Sequence, residues 1–240
     1  MSYVLIIAEK PTAAKKIAES LAEGKLKILR KNDVEYYYFE RNGNPHIVAP
    51  AVGHLFNLSS ISKKWFYPVF DYEWKPSYLV NKFSFFSKKY FDVLRELAIN
   101  AKDVIIATDY DIEGEVIGYN ILRFLLNRED AKRMKFSTLT KEELIESYEN
   151  VMNTLDWGQL EAGLARHEID WLWGINLTRA LTLSLKNNGN KVFSILSTGR
   201  VQGPTLSLLV KREEEIENFK PKPYWQIFAS IKIGKFKYQV

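Results

Sequence analysis

Residues 103–127 read DVIIATDYDIEGEVIGYNILRFLLN, an apolar run followed by an acidic turn and a helical pattern. The apolar run at 104–106 is typical of a strand buried on both faces of a parallel sheet. Beyond the turn, Ile117, Ile121 and Leu125 recur at helical spacing, so one face of the predicted helix is apolar. The stretch therefore predicts a strand, a turn and a helix in succession, which is the repeating unit of an α/β fold.

A similar unit opens the chain. Residues 3–8, YVLIIA, are a second predicted buried strand, and Pro11 suits the first turn of a helix that we expect to end near Gly24. Between the two units, residues 34–56 have a β-like pattern with an Asn-Gly turn signal at 42–43. Repeated strand, crossover and strand predicts an open, Rossmann-like, mostly parallel sheet with helices on both faces. In such sheets ligands bind at the carboxyl ends of the strands.

Composition limits the kinds of protein that this chain can be. Hydrophobic residues make up 46% of its 240 positions, which is enough for a real core. A net charge of +5 permits a polyanionic partner without requiring one. The absence of cysteine excludes disulfides, cysteine zinc sites and thiol nucleophiles from this stretch. Since no segment approaches membrane-spanning length, we expect a soluble intracellular protein without a membrane partner.

From about residue 140 the pattern becomes helical. Thr140 is a candidate helix cap with Glu143 three positions later, and we place a domain boundary there. Two longer helical patterns follow, near 155–185 and 203–219. The final stretch, YWQIFASIKIGKFKYQV, alternates like a strand that has no partner, so we expect a polypeptide that is cut within a domain.

The acidic turn is the strongest functional signal. In an extended segment residues two apart point the same way, so Asp109, Asp111 and Glu113 can converge beyond the strand end. Glu9 follows the first strand in the equivalent place. Such oxygen ligands suit Mg²⁺, and we favour this interpretation over a solvated acidic loop that caps a helix. Lys10 is either a phosphate contact or a surface lysine at a helix start.

Glu9 and the D-x-D-x-E spacing of Asp109, Asp111 and Glu113 resemble the Toprim fold, which occurs in type IA and type II topoisomerases, primases and some nucleases. Three further blocks resemble the type IA DNA topoisomerases: AVGHL at 51–55, ARHEIDWLWGINLTRALT at 165–182 and STGRVQGPTLSLLVKREEEIENFKPKPYW at 197–225. The form EKP at 9–11 and FDYEWKP at 70–76 look most like the archaeal or topoisomerase III-like members.

This resemblance implies relaxation of negatively supercoiled DNA by Mg²⁺-dependent, ATP-independent cleavage of one strand, strand passage and religation. The absence of a G-x-x-x-x-G-K-[ST] loop agrees with the expectation of no nucleotide cofactor. By the resemblance, Glu9 is a general acid or base, Lys10 steadies the phosphate, and Glu9, Asp109, Asp111 and Glu113 are the Mg²⁺ ligands. The expected partner is single-stranded or negatively supercoiled DNA, and we expect a cytoplasmic, nucleoid-associated monomer.

The resemblance also implies a division of the chain. Residues 1–139 would be a Toprim domain, 140–215 the first part of a helical DNA-groove domain, and 216–240 the start of a β-rich arch. The family's nucleophilic tyrosine lies in a Y-P-R-T-like stretch, and none of the thirteen tyrosines here has that context. We therefore expect the N-terminal part of a longer enzyme, which would not cut and rejoin DNA by itself.

Candidate DNA contacts lie in the helical half. Arg166 and Asp170 are four positions apart on one helix face, where they form either an intrahelical ion pair or, by the resemblance, part of a groove for single-stranded DNA. Arg179 is either a phosphate contact or a helix-surface charge. Arg200 and Gln202 precede a helix that begins near residue 204, where backbone N–H groups also favour anions.

His54, in the GHL turn, contacts either DNA or the local backbone. The basic aromatic segment at 63–78 is either a DNA platform or an insertion that packs against the sheet.

Two other functions fit the same residues. A Toprim primase or nuclease would use the same acids but has no reason to carry the blocks at 165–182 and 197–225. A non-catalytic accessory protein that binds single-stranded DNA would lack the tyrosine segment altogether. The coding sequence beyond residue 240 distinguishes this second alternative from the enzyme.

Overall fold

The computed structural model describes residues 2–187 and 194–239. Internal contacts divide the chain into two compact units with the boundary between Ser197 and Thr198. The strands are β1 (Tyr3–Ala8), β2 (Lys27–Lys31), β3 (Val34–Arg41), β4 (Asn44–Pro50), β5 (Phe56–Ser60), β6 (Tyr72–Pro76), β7 (Ala101–Ala107), β8 (Lys132–Arg133), β9 (Ser230–Ile233) and β10 (Phe236–Gln239). The helices are α1 (Pro11–Leu21), α2 (Ser77–Val80), α3 (Ser87–Ala98), α4 (Ile112–Ile121), α5 (Lys141–Glu149), α6 (Trp157–Asn187) and α7 (Gln202–Glu217).

Six strands form the central sheet in the order β2-β3-β4-β1-β7-β8. Strands β4, β1, β7 and β8 run parallel, and the β2-β3-β4 meander is antiparallel. Asn42 and Gly43 join β3 to β4 with left-handed φ angles of 51° and 70°, which a two-residue hairpin turn of the primed type requires. The predicted mostly parallel sheet and its Asn-Gly turn are confirmed.

Helices cover both faces of this sheet, as predicted. Along β1, Leu5 and Ile7 belong to a core with residues of α3, α4 and α6, because successive strand residues point to opposite faces. Ile6 and Ala8 belong to a second core with α1 and α5. The sheet is therefore buried on both sides at β1 and β7, whose carboxyl ends carry the predicted acids.

Two local predictions are wrong in detail. Helix α1 ends at Leu21 rather than near Gly24, because Ala22 is already extended. Thr140 is the N-cap residue of α5, as predicted, but among the described residues its side chain makes no capping hydrogen bond. Glu143 instead accepts from the backbone N–H groups of Ser137 and Thr138 at 2.5 and 3.0 Å.

The last segment is also different from the lone strand that the alternation predicted. Strands β9 and β10 pair with each other as an antiparallel hairpin. Gly234, at a φ of 60°, lies between them, so the turn uses the left-handed conformation that glycine adopts without strain.

Among the described residues, no helix is both long and apolar enough to cross a membrane.

Candidate functional site at the carboxyl edge of the sheet

The two strands that carry the predicted acids are direct neighbours. Ala8 of β1 lies opposite Ala107 of β7 in parallel register, so Glu9 and Asp109 emerge at the same edge of the sheet. Oε2 of Glu9 accepts a hydrogen bond from the backbone N–H of Asp109 at 3.3 Å. The first strand's glutamate therefore lies against the acidic turn, because the two strands are neighbours in the sheet.

Lys10 links the two carboxylates. Its ammonium nitrogen lies 2.9 Å from Oδ2 of Asp109 and 3.1 Å from Oε1 of Glu9. The hydrogen bond to Asp109 and then that to Glu9 hold the pKa of Lys10 above its usual range. Because its side chain is 55% exposed, the ammonium can also reach a ligand outside the protein.

Asp111 caps helix α4. Its Oδ1 accepts from the backbone N–H of Gly114 at 2.7 Å, so the helix-capping interpretation holds for this residue. Gly114 is required here because a Cβ would lie 1.9 Å from the Asp109 carbonyl oxygen. The cap leaves Oδ2 of Asp111 for another partner.

A buried arginine stabilises the acidic turn by hydrogen bonds to its carbonyl oxygens. Arg133, in β8, is fully buried and donates to the carbonyl oxygens of Thr108 and Asp109, each at 2.8 Å. It also donates to Oε1 of Glu115 at 2.6 Å. Burial raises the pKa of Glu115, although Arg133 opposes that shift. The sequence does not single out Arg133, because nothing in the KRMKF stretch distinguishes a buried arginine from an exposed one.

The Glu113 side chain contacts different residues from those around the other predicted ligands. Its Oε2 accepts from Nε2 of His167 at 2.7 Å and from Nε2 of His54 at 3.2 Å. Its Oε1 lies 3.6 Å from the Arg166 guanidinium. Partial burial opposes ionisation of Glu113, but the His167 hydrogen bond and the neighbouring His54 and Arg166 outweigh it and lower the pKa.

The four predicted metal ligands thus fall into two groups. Glu9 and Asp109 meet around Lys10, and Asp111 lines a cleft together with Lys10 and Asp109, whereas Glu113 faces two histidines. Within residues 2–187 and 194–239, His54, Glu113 and His167 are the one set of three metal-ligating side chains whose ligand atoms lie within 4.8 Å of one another. His54 therefore binds a side chain rather than the local backbone, and His167 is a site residue that sequence analysis did not single out.

A cleft of about 480 Å³ opens beside the first group, and ligand sites commonly have this size. Lys10, Asp109 and Asp111 are among the residues that line it. Its lining residues are Lys10, Thr12, Ala13, Asp109, Tyr110, Asp111, Phe136, Ser137, Thr138 and Leu139.

The predicted DNA contacts are dispersed. Arg166 is half exposed and lies 3.8 Å from Asp170, so the intrahelical pair is present next to Glu113. Arg179 is buried, 7% exposed, and not a helix-surface charge. It donates to the carbonyl oxygens of Lys64 and Phe66 at 3.2 and 3.0 Å, which fastens the aromatic insertion to α6.

The insertion packs against α6 at several points. Asn176 accepts from the Val69 backbone N–H at 2.6 Å and donates to its carbonyl at 2.8 Å. The rings of Tyr72 and Trp171 lie 5.5 Å apart. These contacts favour packing over a DNA platform, but the contacts are with α6, where the sheet was expected. Arg200 and Gln202 lie in the second unit, where Gln202 is the first residue of α7.

Comparison with known proteins finds two family models that match this chain. A Toprim domain model matches residues 4–139, and a DNA topoisomerase model matches residues 154–239. DNA topoisomerase 1 of Pyrococcus furiosus is 48% identical over 228 residues, which are 93% of this chain and 21% of the relative. That of Methanocaldococcus jannaschii is 48% identical over 230 residues, 95% of this chain and 29% of the relative.

A solved structure gives the same result. Full-length topoisomerase I from Thermotoga maritima superposes with a TM-score of 0.60 at 28% identity, covering 91% of this chain and 31% of that one. The chain thus spans about a fifth to a third of the length of these relatives. Because the Toprim model matches more than half of the residues and the topoisomerase model much of the remainder, the chain belongs to the Toprim family and, within it, to the type IA DNA topoisomerases.

Proposed function

We propose that this chain supplies the Mg²⁺- and phosphate-binding part of an enzyme that relaxes negatively supercoiled DNA. In the proposed reaction one strand is cut without ATP, another passes through the gap and the cut strand is resealed. The observation that carries the proposal is the meeting of Glu9 and Asp109, with Lys10 between them, at the sheet edge.

The donor set beside the cleft fits Mg²⁺. Glu9, Asp109 and Asp111 offer carboxylate oxygens, which are the ligands that Mg²⁺ prefers. The Lys10 ammonium already supplies one positive charge between two of these carboxylates. When bound, Mg²⁺ supplies additional positive charge that neutralises phosphate oxygens. Glu113, the fourth predicted ligand, lies with the histidines instead, and we assign it a separate role below.

The protein's own groups have distinct tasks in this proposal. Lys10 is exposed enough to donate to a phosphate oxygen, which would shift its contacts away from Asp109. Glu9 is mostly buried, with its side chain 12% exposed, and holds or releases a proton at its carboxylate beside the phosphate. The nucleophilic tyrosine is expected in a Y-P-R-T-like stretch outside these 240 residues.

The partner in this proposal is single-stranded DNA within a negatively supercoiled duplex. Arg166, half exposed beside Glu113, is the groove residue that we propose for phosphate contact. Arg200 and Gln202 remain proposed contacts of the second unit, and Arg179 supports the insertion. We further propose that the enzyme acts as a cytoplasmic, nucleoid-associated monomer without a nucleotide cofactor, divided near residues 139 and 215.

Plasmid relaxation by the full-length protein tests the proposal. Glu9→Gln should reduce Mg²⁺-dependent relaxation of negatively supercoiled plasmid by at least about a hundredfold, the usual weight of a proton-transfer group. Glu19→Gln is the matched control, because Glu19 lies on α1 in an exposed 3.9 Å pair with Lys15. Equal activity of Glu9→Gln and the unaltered enzyme would refute the role of this edge. Binding of single-stranded DNA without any relaxation by the unaltered protein would favour the accessory alternative.

A further inference from the structure

The histidine cluster that holds Glu113 has no task in the proposed Mg²⁺ chemistry. We propose that His54, Glu113 and His167 form a second metal site, which takes a borderline transition ion such as Zn²⁺ rather than Mg²⁺.

The geometry already brings three ligand atoms to one place. Nε2 of His167 and Nε2 of His54 lie 2.7 and 3.2 Å from the same Oε2 of Glu113, and all three atoms lie within 4.8 Å of one another. A tetrahedral Zn²⁺ at about 2.0–2.1 Å from each ligand would separate its ligand atoms by about 3.4 Å. Small side-chain shifts are therefore enough to admit the ion in place of the two N–H hydrogens.

The donor types distinguish this site from the neighbouring acids. Two imidazole nitrogens and one carboxylate oxygen are a common ligand set of zinc sites that keep an open position. Imidazole suits Zn²⁺, Cu²⁺ and Ni²⁺, whereas Mg²⁺ prefers oxygen ligands throughout. Because Glu9, Asp109 and Asp111 offer only oxygen, the two groups of side chains should select different ions.

The three ligands come from separate parts of the fold. His54 follows β4, Glu113 is in the first turn of α4, and His167 is in the middle of α6. The two imidazole rings lie 4.9 Å apart in an edge-to-face arrangement, and the Trp74 ring lies 5.9 Å from His167. A bound ion would therefore tie α6 to the sheet edge and add to the stability of this arrangement.

Two features limit the affinity of this site for a metal ion. The Arg166 guanidinium lies 3.6 Å from Oε1 of Glu113 and repels a second cation. Nδ1 of His54 is buried without a partner among the described residues, and it would have to carry the proton when Nε2 binds metal. The first feature gives a specific expectation, since removing the Arg166 charge should strengthen metal binding.

Co²⁺ absorption is the direct test, because it reports the ligand field and does not depend on DNA cleavage. The 240-residue chain, titrated with Co²⁺ in excess Mg²⁺, should develop visible bands at one ion per chain, and Zn²⁺ should remove them. Asp109→Asn is the matched control and should keep the bands. His167→Ala should lose them or bind Co²⁺ at least about tenfold more weakly.

A second variant distinguishes the loss of a metal ligand from a folding defect. Arg166→Gln should bind Co²⁺ more tightly than the unaltered chain, and circular dichroism should show that all variants keep the same helix content. Absence of bands in the unaltered chain would overturn the proposal. So would equal Co²⁺ affinity in the unaltered chain and His167→Ala. The proposed topoisomerase function would survive either result, since it rests on Glu9, Asp109 and Lys10.

Discussion

The backbone N–H of Asp109 donates to the Glu9 carboxylate at 3.3 Å across 100 positions of sequence. This contact follows directly from the parallel pairing of β1 with β7, which ends both strands at the same edge. A carboxylate that accepts a backbone hydrogen bond is restrained in its orientation, and here both residues closely follow paired strands.

Asp111→Asn should weaken Mg²⁺ binding while leaving the fold intact. Asparagine caps helices as well as aspartate does, so the contact to the Gly114 N–H is kept and only the charge is lost. Titration calorimetry with Mg²⁺ measures the loss, which we expect to be at least about tenfold, or 1.4 kcal/mol. Asp111→Ala loses the cap as well and should cost about 1 kcal/mol of unfolding free energy. Unchanged Mg²⁺ affinity in Asp111→Asn would remove this residue from the site.

Arg133→Met should be among the most destabilising single changes in the first unit. It leaves the fully buried Glu115 without its cation and two carbonyls of the acidic turn without their donor, and breaking such a pair costs about 3–5 kcal/mol. Urea denaturation measures the change. Arg95→Ala is the control, because that arginine pairs with Asp92 on the surface at 3.6 Å and should matter by less than about 1 kcal/mol. Similar denaturation midpoints for the two variants would contradict the supporting role of Arg133.

Gly163→Ala should loosen the packing of α6 on α4. The added Cβ would lie 2.5 Å from the Ile112 carbonyl oxygen and 2.6 Å from Cγ2 of Val116, and overpacking of this kind costs about 1–3 kcal/mol. Because Ile112 precedes Glu113 and Gly163 lies one turn before His167, the same change should also weaken Co²⁺ binding. Gly158→Ala, whose Cβ would meet Asp156 at an ordinary 3.5 Å, is the control. Thermal denaturation measures the effect. If Gly163→Ala lowered the melting temperature no more than Gly158→Ala does, α6 and α4 could move apart without loss of stability.

His46 should make the first unit less stable as the pH falls. Its Nδ1–H donates to the Asn44 carbonyl at 2.9 Å and its Nε2 accepts from the Tyr148 hydroxyl at 2.6 Å, so the neutral ring is fully satisfied. Burial, and secondarily the nearby Arg41, lower the pKa of His46, while the Asn44 contact and Glu23 oppose the shift.

A histidine with a lowered pKa binds fewer protons in the folded chain than in the unfolded one. The stability that it contributes is therefore complete above its unfolded pKa of about 6.5 and decreases as the pH falls through the folded value. Melting temperatures between pH 7.5 and 5 should fall more for the unaltered chain than for His46→Gln. Parallel curves would show that His46 does not contribute to the pH dependence.

The sheet could be predicted because short stretches of the sequence specify its strands and its turn. Apolar runs at 3–8 and 104–106 and the Asn-Gly turn each specify their own strand or turn, and the repeated strand, crossover and strand predicts parallel pairing. Convergence of Glu9 with Asp109 could be expected only if the two strands are neighbours, and the pairing of β1 with β7 supplies that condition. The resemblance of the blocks at 165–182 and 197–225 added the family, which the Toprim acids alone could not choose.

What the sequence could not supply depends on tertiary contacts. The direction of the Glu113 side chain is set by His54 and His167, which are 59 and 54 positions away, and no periodicity encodes that choice. Arg179 has the spacing of a helix-surface residue, but the insertion covers it. Its guanidinium donates hydrogen bonds to carbonyl oxygens of the insertion. A burial pattern that depends on a distant loop cannot be read from helical spacing.

Arg166→Ala in the full-length protein should weaken binding of single-stranded DNA and reduce its salt dependence. Loss of one phosphate contact lowers the slope of log K against log salt by about one, because about one fewer counterion is released. Arg30→Ala is the control: it removes the same charge from β2, which lies at the opposite side of the sheet from β7, where Arg30 pairs with Asp33 at 3.2 Å. Fluorescence anisotropy with a labelled oligonucleotide at several salt concentrations measures both slopes. If Arg166→Ala and Arg30→Ala gave the same slope, the groove would have to be placed elsewhere than beside Glu113.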